Sequence, residues 1–139
     1  MSTRVYVGAW GGEMEIVFNA MLDENAEENI ETFVRNIDKV SDETLAELRT
    51  TSPRGRSTRK PYWRGWRKTS SRLDKGLGGV FVVIDNKNKP TLTHLLENGH
   101  DVVRGGPKIL GGVTVGKARA FPHIEKARKN AVRKLTKGV

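Results

Sequence analysis

The sequence predicts a small α+β domain in which a long N-terminal helix and a C-terminal helix pack on a short antiparallel β-sheet. Its 139 residues are the length of one domain, so residues 1–139 are treated as a single unit. Apolar residues recur at helical spacing in two stretches, one before residue 51 and one after residue 120. Between them lie two aromatic or β-branched runs joined by glycines, the pattern of a hairpin.

Charge is divided unevenly along the chain. Residues 1–50 contain four lysines and arginines against eleven aspartates and glutamates, a net charge of −7. Because the whole chain carries +9, the remaining residues carry +16. Such opposite halves favour either self-complementary assembly or a basic surface beside an acidic helix. Cysteine is absent, which excludes disulfides and cysteine-based zinc sites, and no apolar run is long enough to predict a membrane span.

The first helix is predicted over residues 25–50. Asp23 or Asn25 can cap it, and three glutamates follow where the helix dipole favours negative charge. Residues 1–22 are interpreted as an N-terminal extension or arm. Residues 51–60, which combine helix breakers with basic side chains, are predicted to form a mobile loop. The apolar positions of the helix recur at three- and four-residue steps: Ile30, Phe33, Val34, Ile37, Val40, Thr44, Leu45 and Leu48.

Two strands and a short helix are predicted next. Residues 61–68 are rich in aromatic side chains, and residues 79–85 form a β-branched run that ends at a turn. The glycine-rich linker between them suits a hairpin. Residues 90–98 then predict a short helix, which Gly99 closes.

The C-terminal part is predicted to be a loop followed by a helix. The chain is glycine-rich and basic up to Arg119, with a short strand expected at residues 113–115. The last helix starts at about Phe121, and Pro122 suits its first turn. Its narrow apolar stripe consists of Ile124, Ala127, Ala131 and Leu135.

One segment has the spacing of a phosphate-binding loop. Gly111–Lys117 fits G-x-x-x-x-G-K, but Ala118 follows where a serine or threonine hydroxyl should bind magnesium. The interior of the segment is also β-branched. We therefore interpret it as a strand or hairpin turn and not as a nucleotide site.

The histidines give little support for a metal or catalytic site. His94 and His100 are six residues apart, whereas a helical zinc site places two histidines four apart. Glu97 could support His94, yet nothing else completes a catalytic set. We expect the histidines to make hydrogen bonds at helix ends, and we predict no catalytic residues, no metal and no cofactor.

Aromatic and basic side chains are interleaved before and within the first predicted hairpin strand. Tyr62, Trp63 and Trp66 are surrounded by Arg59, Lys60, Arg64, Arg67 and Lys68. On a strand Trp63 and Trp66 would point to opposite faces, so one should enter the core while the other meets a neighbour. The alternative is that the aromatics stack on single-stranded nucleic acid. With the basic C-terminal helix, this supports a second hypothesis, a small basic nucleic-acid-binding protein.

Two sequence words in the second half resemble a known family. LTHLLENGH (Leu92–His100) is followed by a basic loop containing Arg104-Gly105-Gly106, then by PHI (Pro122–Ile124) with Ala127 and Ala131. This pattern resembles the siphophage neck family, which includes head–tail joining, tail-completion and tail-component proteins. The resemblance covers roughly residues 24–137. The chain departs from the family pattern in a longer loop before PHI and in Glu125-Lys126-Ala127 after it.

The resemblance implies a structural virion protein and not an enzyme. Members are thought to form rings, with a hexamer the expected form here, stacked between head-connector and tail-terminator or tail-tube proteins. DNA in the channel would be a further partner, and no membrane is involved. The expected location is the virion neck, after assembly in the host cytoplasm. The motif residues, expected to join the short helix to the last helix, are His94, Glu97, Asn98, Gly99, His100, Pro122, His123 and Ile124.

A ring also needs contacts between copies. A head-to-tail ring places different surfaces of one subunit against each other, so an acidic helix could face basic residues of the next copy. The candidate interface residues are Glu27, Glu28, Glu31, Trp63, Trp66 and Arg67.

Overall fold

A four-stranded antiparallel sheet with two helices on one face forms the core of the protein. The computed structural model describes residues 2–10, 13–21, 30–54, 59–73, 79–90, 92–104 and 113–137. The helices are α1 (Ile30–Thr51) and α3 (His123–Lys137), separated in sequence by α2 (Leu92–Asn98). The predicted α+β class is confirmed. The sheet has the order β1-β2-β4-β3, with strands β1 (Ser2–Trp10), β2 (Glu13–Met21), β3 (Trp66–Leu73) and β4 (Gly79–Asn86).

The first strands belong to the sheet, so the expectation of an N-terminal extension or arm is wrong. β2 is an interior strand, paired with β1 on one side and β4 on the other. Because side chains alternate across a strand, Ile16, Phe18 and Ala20 share the helix-covered face, where each is fully buried. Without this hairpin β4 would become an edge strand and the core would lose one wall.

The apolar stripes predicted for the two long helices are buried in the core. Phe33, Ile37 and Leu48 of α1 are almost fully buried. Thr44 is buried beside them and its hydroxyl donates to the Val40 carbonyl at 2.8 Å. The α3 stripe is buried along its length, and it joins the same cluster as the sheet residues. Among the helices in the described ranges, none is long and apolar enough to cross a membrane.

The segment predicted as a strand over residues 61–68 is a strand only in its second half. Tyr62–Arg64 form a short 3-10 turn, and β3 begins at Trp66. Gly65 is required between them, because a Cβ there would lie 2.9 Å from the backbone nitrogen of Asn88. The turn places Tyr62 and Trp66 in the core and leaves Trp63 half-buried at the surface.

The remaining elements lie between β4 and α3. The predicted short helix is confirmed as α2, and Gly99 ends it with a φ of 75°, a left-handed conformation that suits glycine. β5 (His100–Arg104) and β6 (Val113–Ala118) form a separate two-stranded antiparallel sheet with an irregularity between Val102 and Val103. The strand expected at residues 113–115 therefore extends to Ala118.

Candidate functional site

Glu97, in the last turn of α2, caps α3 from outside that helix. Its Oε1 accepts a hydrogen bond from the Ile124 N–H at 2.8 Å, and its Oε2 accepts one from the Glu125 N–H at 2.9 Å. The first N–H groups of a helix have no partners within it, and they carry the positive end of its dipole. A buried carboxylate satisfies both needs. Since Glu97 belongs to LTHLLENGH and Ile124 to PHI, the two words of the resemblance meet at this point.

The surroundings of Glu97 keep it ionised. Burial alone raises the pKa of Glu97, but hydrogen bonds from His123 and from the Glu125 and Ile124 N–H groups outweigh burial and lower that pKa below its usual value. The His123 Nδ1 atom lies 3.2 Å from Glu97 Oε1. Both side chains are less than a tenth exposed. A charge in such a place is tolerated because each carboxylate oxygen has a hydrogen-bond donor.

His123 links Glu97 to Tyr62. The Tyr62 hydroxyl lies 2.7 Å from His123 Nε2, and burial together with the Glu97 charge raises the pKa of Tyr62 far above its usual value. Tyr62 therefore stays protonated. The His123 Nδ1 atom lies 2.5 Å from the Phe121 carbonyl oxygen and also faces Glu97 Oε1; because both oxygens accept, Nδ1 carries a proton. Every polar atom of the imidazole ring is satisfied.

Trp66 and Ser52 complete this buried polar cluster, which consists of Ser52, Tyr62, Trp66, Glu97 and His123. The Trp66 indole N–H donates to the Ser52 hydroxyl at 2.7 Å, and that hydroxyl donates to the Leu48 carbonyl. The Tyr62, Trp66 and His123 rings meet edge-to-face, with centroids 5.5 to 6.1 Å apart. The cluster joins α1, the 3-10 turn, α2 and α3. No member is open to a substrate, since each is at most 7% exposed.

The predicted motif residues divide between the cluster and the surface. Glu97, His123 and Ile124 are buried at the junction of α2 and α3, as expected for a link between helices. His94 is exposed and makes its hydrogen bond with Asn98, at 3.1 Å, so its expected role in the link is wrong. Glu97 lies only about 60° from His94 around α2, but its side chain reaches the start of α3, whereas His94 bonds within α2 and is exposed.

Three further motif residues lie at the edges of the site. Gly99 closes α2 with an N–H bond to the Leu95 carbonyl at 2.8 Å, while Pro122 is exposed at the start of α3. His100 begins β5, and its side chain lies outside the described part of the chain. Within the described ranges, no three histidine, aspartate or glutamate residues are arranged to hold a metal ion.

The candidate interface residues are also separated by the structure. Trp66 is 1% exposed, so it is a core residue and cannot contact another copy. Trp63 remains at the surface, and Arg67 makes a two-point ion pair with Asp85 at 2.9 and 3.2 Å. Glu31 is exposed on α1. Glu27 and Glu28 lie outside the described residues.

Part of the acidic face of α1 is neutralised within the subunit. Lys68 of β3 contacts Asp42 at 2.6 Å and Asp38 at 3.5 Å. Lys134 of α3 contacts Glu43 at 3.0 Å. Some of the charge division seen in the sequence therefore serves packing of α1 against its own β3 and α3.

The near-match to a phosphate-binding loop does not have the structural context that such a loop needs. Residues 111 and 112 lie outside the described ranges. The rest of the motif is β6, which pairs antiparallel with β5 and does not lead from a strand into a helix. The interpretation of these residues as a strand is confirmed.

Comparisons with protein-family models, curated proteins and solved structures give no match. The resemblance of LTHLLENGH and PHI to the neck family therefore stays a prediction. Sequence reasoning missed Ser52 and Tyr62 as members of the buried polar cluster. The only local signal for either is a polar or amphipathic side chain beside a proline, which is also typical of exposed turns.

Proposed function

We propose that this protein is a structural subunit of a bacteriophage neck, forming a ring that joins head to tail. The observation that carries the proposal is the contact between Glu97 of LTHLLENGH and the first N–H groups of the helix that begins in PHI. The two words are separated by more than twenty residues, yet the side chain of one caps the helix of the other. This arrangement gives a physical reason for the two words to occur together.

The buried polar cluster supports a structural role. Its hydrogen bonds are directed inward and are satisfied by other parts of the same chain. Such networks fix one packing arrangement of the helices they join. A ring subunit needs a rigid shape, because small errors in the angle between copies prevent closure of the ring.

Two exposed apolar side chains are the best candidates for contacts between copies. Among the described residues, Phe121 is 46% exposed just before α3 and Val132 is 38% exposed in its second half. Val132 borders a shallow depression of about 230 Å³, which is also lined by Thr3, Val5, Leu135 and Thr136. Two different patches on one subunit are what a head-to-tail ring requires. We propose that Phe121 of one copy packs into the depression beside Val132 of the next.

The test uses the full chain in two assays. Light scattering and electron microscopy at increasing protein concentration measure ring formation. Addition of the protein to a lysate of phage lacking this gene measures the joining of heads to tails. We expect rings and restored infectivity for the wild type, loss of both for Phe121→Ser and Val132→Ser, and no change for Ala46→Ser, which alters an exposed apolar residue on α1. A monomer at all concentrations, with no restored infectivity, would contradict the proposal.

A further inference from the structure

Six cationic residues lie on the segments that meet at the 3-10 turn carrying Trp63, at one end of the sheet. The Arg54 guanidinium lies 3.8 Å from the centre of the Trp63 ring, and the Arg64 guanidinium lies 4.9 Å from it. These two belong to different segments, so the Trp63 ring holds them side by side. The full set, called the Trp63 surface below, is Arg49, Arg54, Lys60, Arg64, Lys87 and Lys89.

Hydrogen bonds to backbone carbonyls hold these segments together. The Lys87 N–H donates to the Gly65 carbonyl at 2.9 Å, which joins the loop after β4 to the 3-10 turn. Asn88 donates to the Pro61 carbonyl at 2.8 Å, next to Lys60 in the chain. Arg49 donates to the Trp66 carbonyl at 2.9 Å. Because these hydrogen bonds already hold the chain near Arg49, Lys60 and Lys87, little of it must be immobilised there on binding.

The cations of the Trp63 surface are not neutralised within the described part of the chain. None of its six cations makes an ion pair within the described residues, whereas Arg67, Lys68, Arg128 and Lys134 each have an acidic partner. Between Arg49 and Lys68 the sequence contains no aspartate or glutamate. Among the described residues, positive charge is therefore concentrated on this surface.

We propose that the Trp63 surface binds the phosphate backbone of double-stranded DNA without sequence specificity. Guanidinium groups bind phosphate through paired N–H donors, and stacking on Trp63 restricts their orientation. The nearby amides make hydrogen bonds within the subunit, Asn86 to the Tyr62 carbonyl and Asn88 to the Pro61 carbonyl, which limits their use in reading base edges. Arg54 and Arg64 also lie against the Trp63 ring, which leaves less of it for base stacking. These features favour the backbone of a duplex over unpaired bases.

The experiment measures binding to a duplex of about 25 base pairs by fluorescence anisotropy, between about 50 and 200 mM NaCl. Each phosphate contact contributes about −0.9 to the slope of log K against log salt concentration. We expect the triple variant Arg54→Gln, Lys60→Gln, Arg64→Gln to bind at least about tenfold more weakly at low salt, with a slope shallower by about 2–3. The matched control replaces Lys126, Lys129 and Arg133 on exposed positions of α3 with glutamine, and it should keep the wild-type slope.

Three outcomes would overturn the proposal. The wild type could fail to bind duplex DNA at low salt, or the two triple variants could lose affinity and slope equally, which would indicate a general effect of net charge. Poly-glutamate could also compete as well as DNA at equal charge, which would indicate an acidic protein partner. Circular dichroism of each variant verifies the fold. The anisotropy assay does not require an assembled ring. Loss of DNA binding and failure to form rings are therefore separate results.

Discussion

At the scale of single residues, Glu97 shows how one side chain can connect two helices. It lies in the last turn of α2, satisfies two N–H groups at the start of α3 and contacts His123. Each of these partners would be buried without a hydrogen bond if the carboxylate were lost. The cost of a buried unsatisfied donor, more than the gain from the bond itself, makes such a residue important for stability.

Glu97→Ala should therefore lower the free energy of unfolding by about 3 kcal/mol, because it leaves the Ile124 and Glu125 N–H groups without an acceptor. Glu97→Gln keeps one acceptor oxygen and should cost less. Urea denaturation measures both. Equal effects of the two variants would show that one neutral acceptor oxygen contributes nothing and that the ionised carboxylate is required.

The same residue predicts a dependence of stability on pH. The pKa of Glu97 is lowered in the folded protein, from an ordinary value of 4.5. Its contribution to stability is therefore complete above that value and is lost as pH falls through the lowered pKa. The difference in unfolding free energy between wild type and Glu97→Gln should shrink as pH is lowered from about 6 to 3. A difference that does not change with pH would show that the charge contributes nothing.

The histidines provide a matched pair for mutation. His123→Ala should lower the free energy of unfolding by about 1–3 kcal/mol, because it removes the partner of the Tyr62 hydroxyl in the core. His94→Ala should change it by less than about 0.5 kcal/mol, since His94 is exposed. Thermal denaturation of the two variants tests this difference. Similar losses of stability would contradict the burial seen in the structure.

At the scale of elements, the N-terminal hairpin is the part of the fold that the sequence pattern described least well. The alternation in β2 is obscured by Val17, which is apolar and buried although it lies on the face opposite Ile16 and Phe18. The sequence of β2 therefore lacks the regular apolar–polar pattern of a half-exposed strand. Pairing with β1 and β4 places β2 inside the sheet, and the residues of β2 alone give no sign of that pairing.

Two neighbouring residues of β2 test this arrangement. Phe18→Ala should lower the free energy of unfolding by about 3–5 kcal/mol, because Phe18 is fully buried between the sheet and the helices. Asn19→Ala, one residue later and on the other face, should cost less than about 1 kcal/mol. Urea denaturation gives both values. If neither variant changed stability, the first 21 residues would not be part of the sheet.

At the scale of the whole molecule, the two proposed contacts use different surfaces. Contacts between copies are assigned to the apolar residues Phe121 and Val132, whereas DNA is assigned to the cations around Trp63. Exposed ion pairs contribute only about 0–1 kcal/mol each, so apolar contacts must supply most of the affinity of a ring. Lys68 and Lys134 already neutralise carboxylates of α1, which reduces the role of that helix in attracting another copy.

The two activities should therefore be separable. Phe121→Ser should abolish ring formation and leave the salt dependence of DNA binding by the subunit unchanged, because the substitution removes no charge. The Arg54, Lys60, Arg64 triple variant should weaken DNA binding and still form rings. Light scattering and anisotropy on the same preparations test both statements. If each variant lost both activities, the two surfaces would not be independent.

The sequence by itself determined the α+β class, the two long helices, α2 and the strand β4. These depend on the spacing of apolar residues and on glycine at chain reversals, which are local properties. Only the tertiary structure decided which polar groups are buried together. Tyr62 and His123 are 61 residues apart in the chain, and Glu97 and Ile124 are 27 apart. It also decided which cations of the described residues have acidic partners, because those of Lys68 and Lys134 come from α1, far away in the sequence.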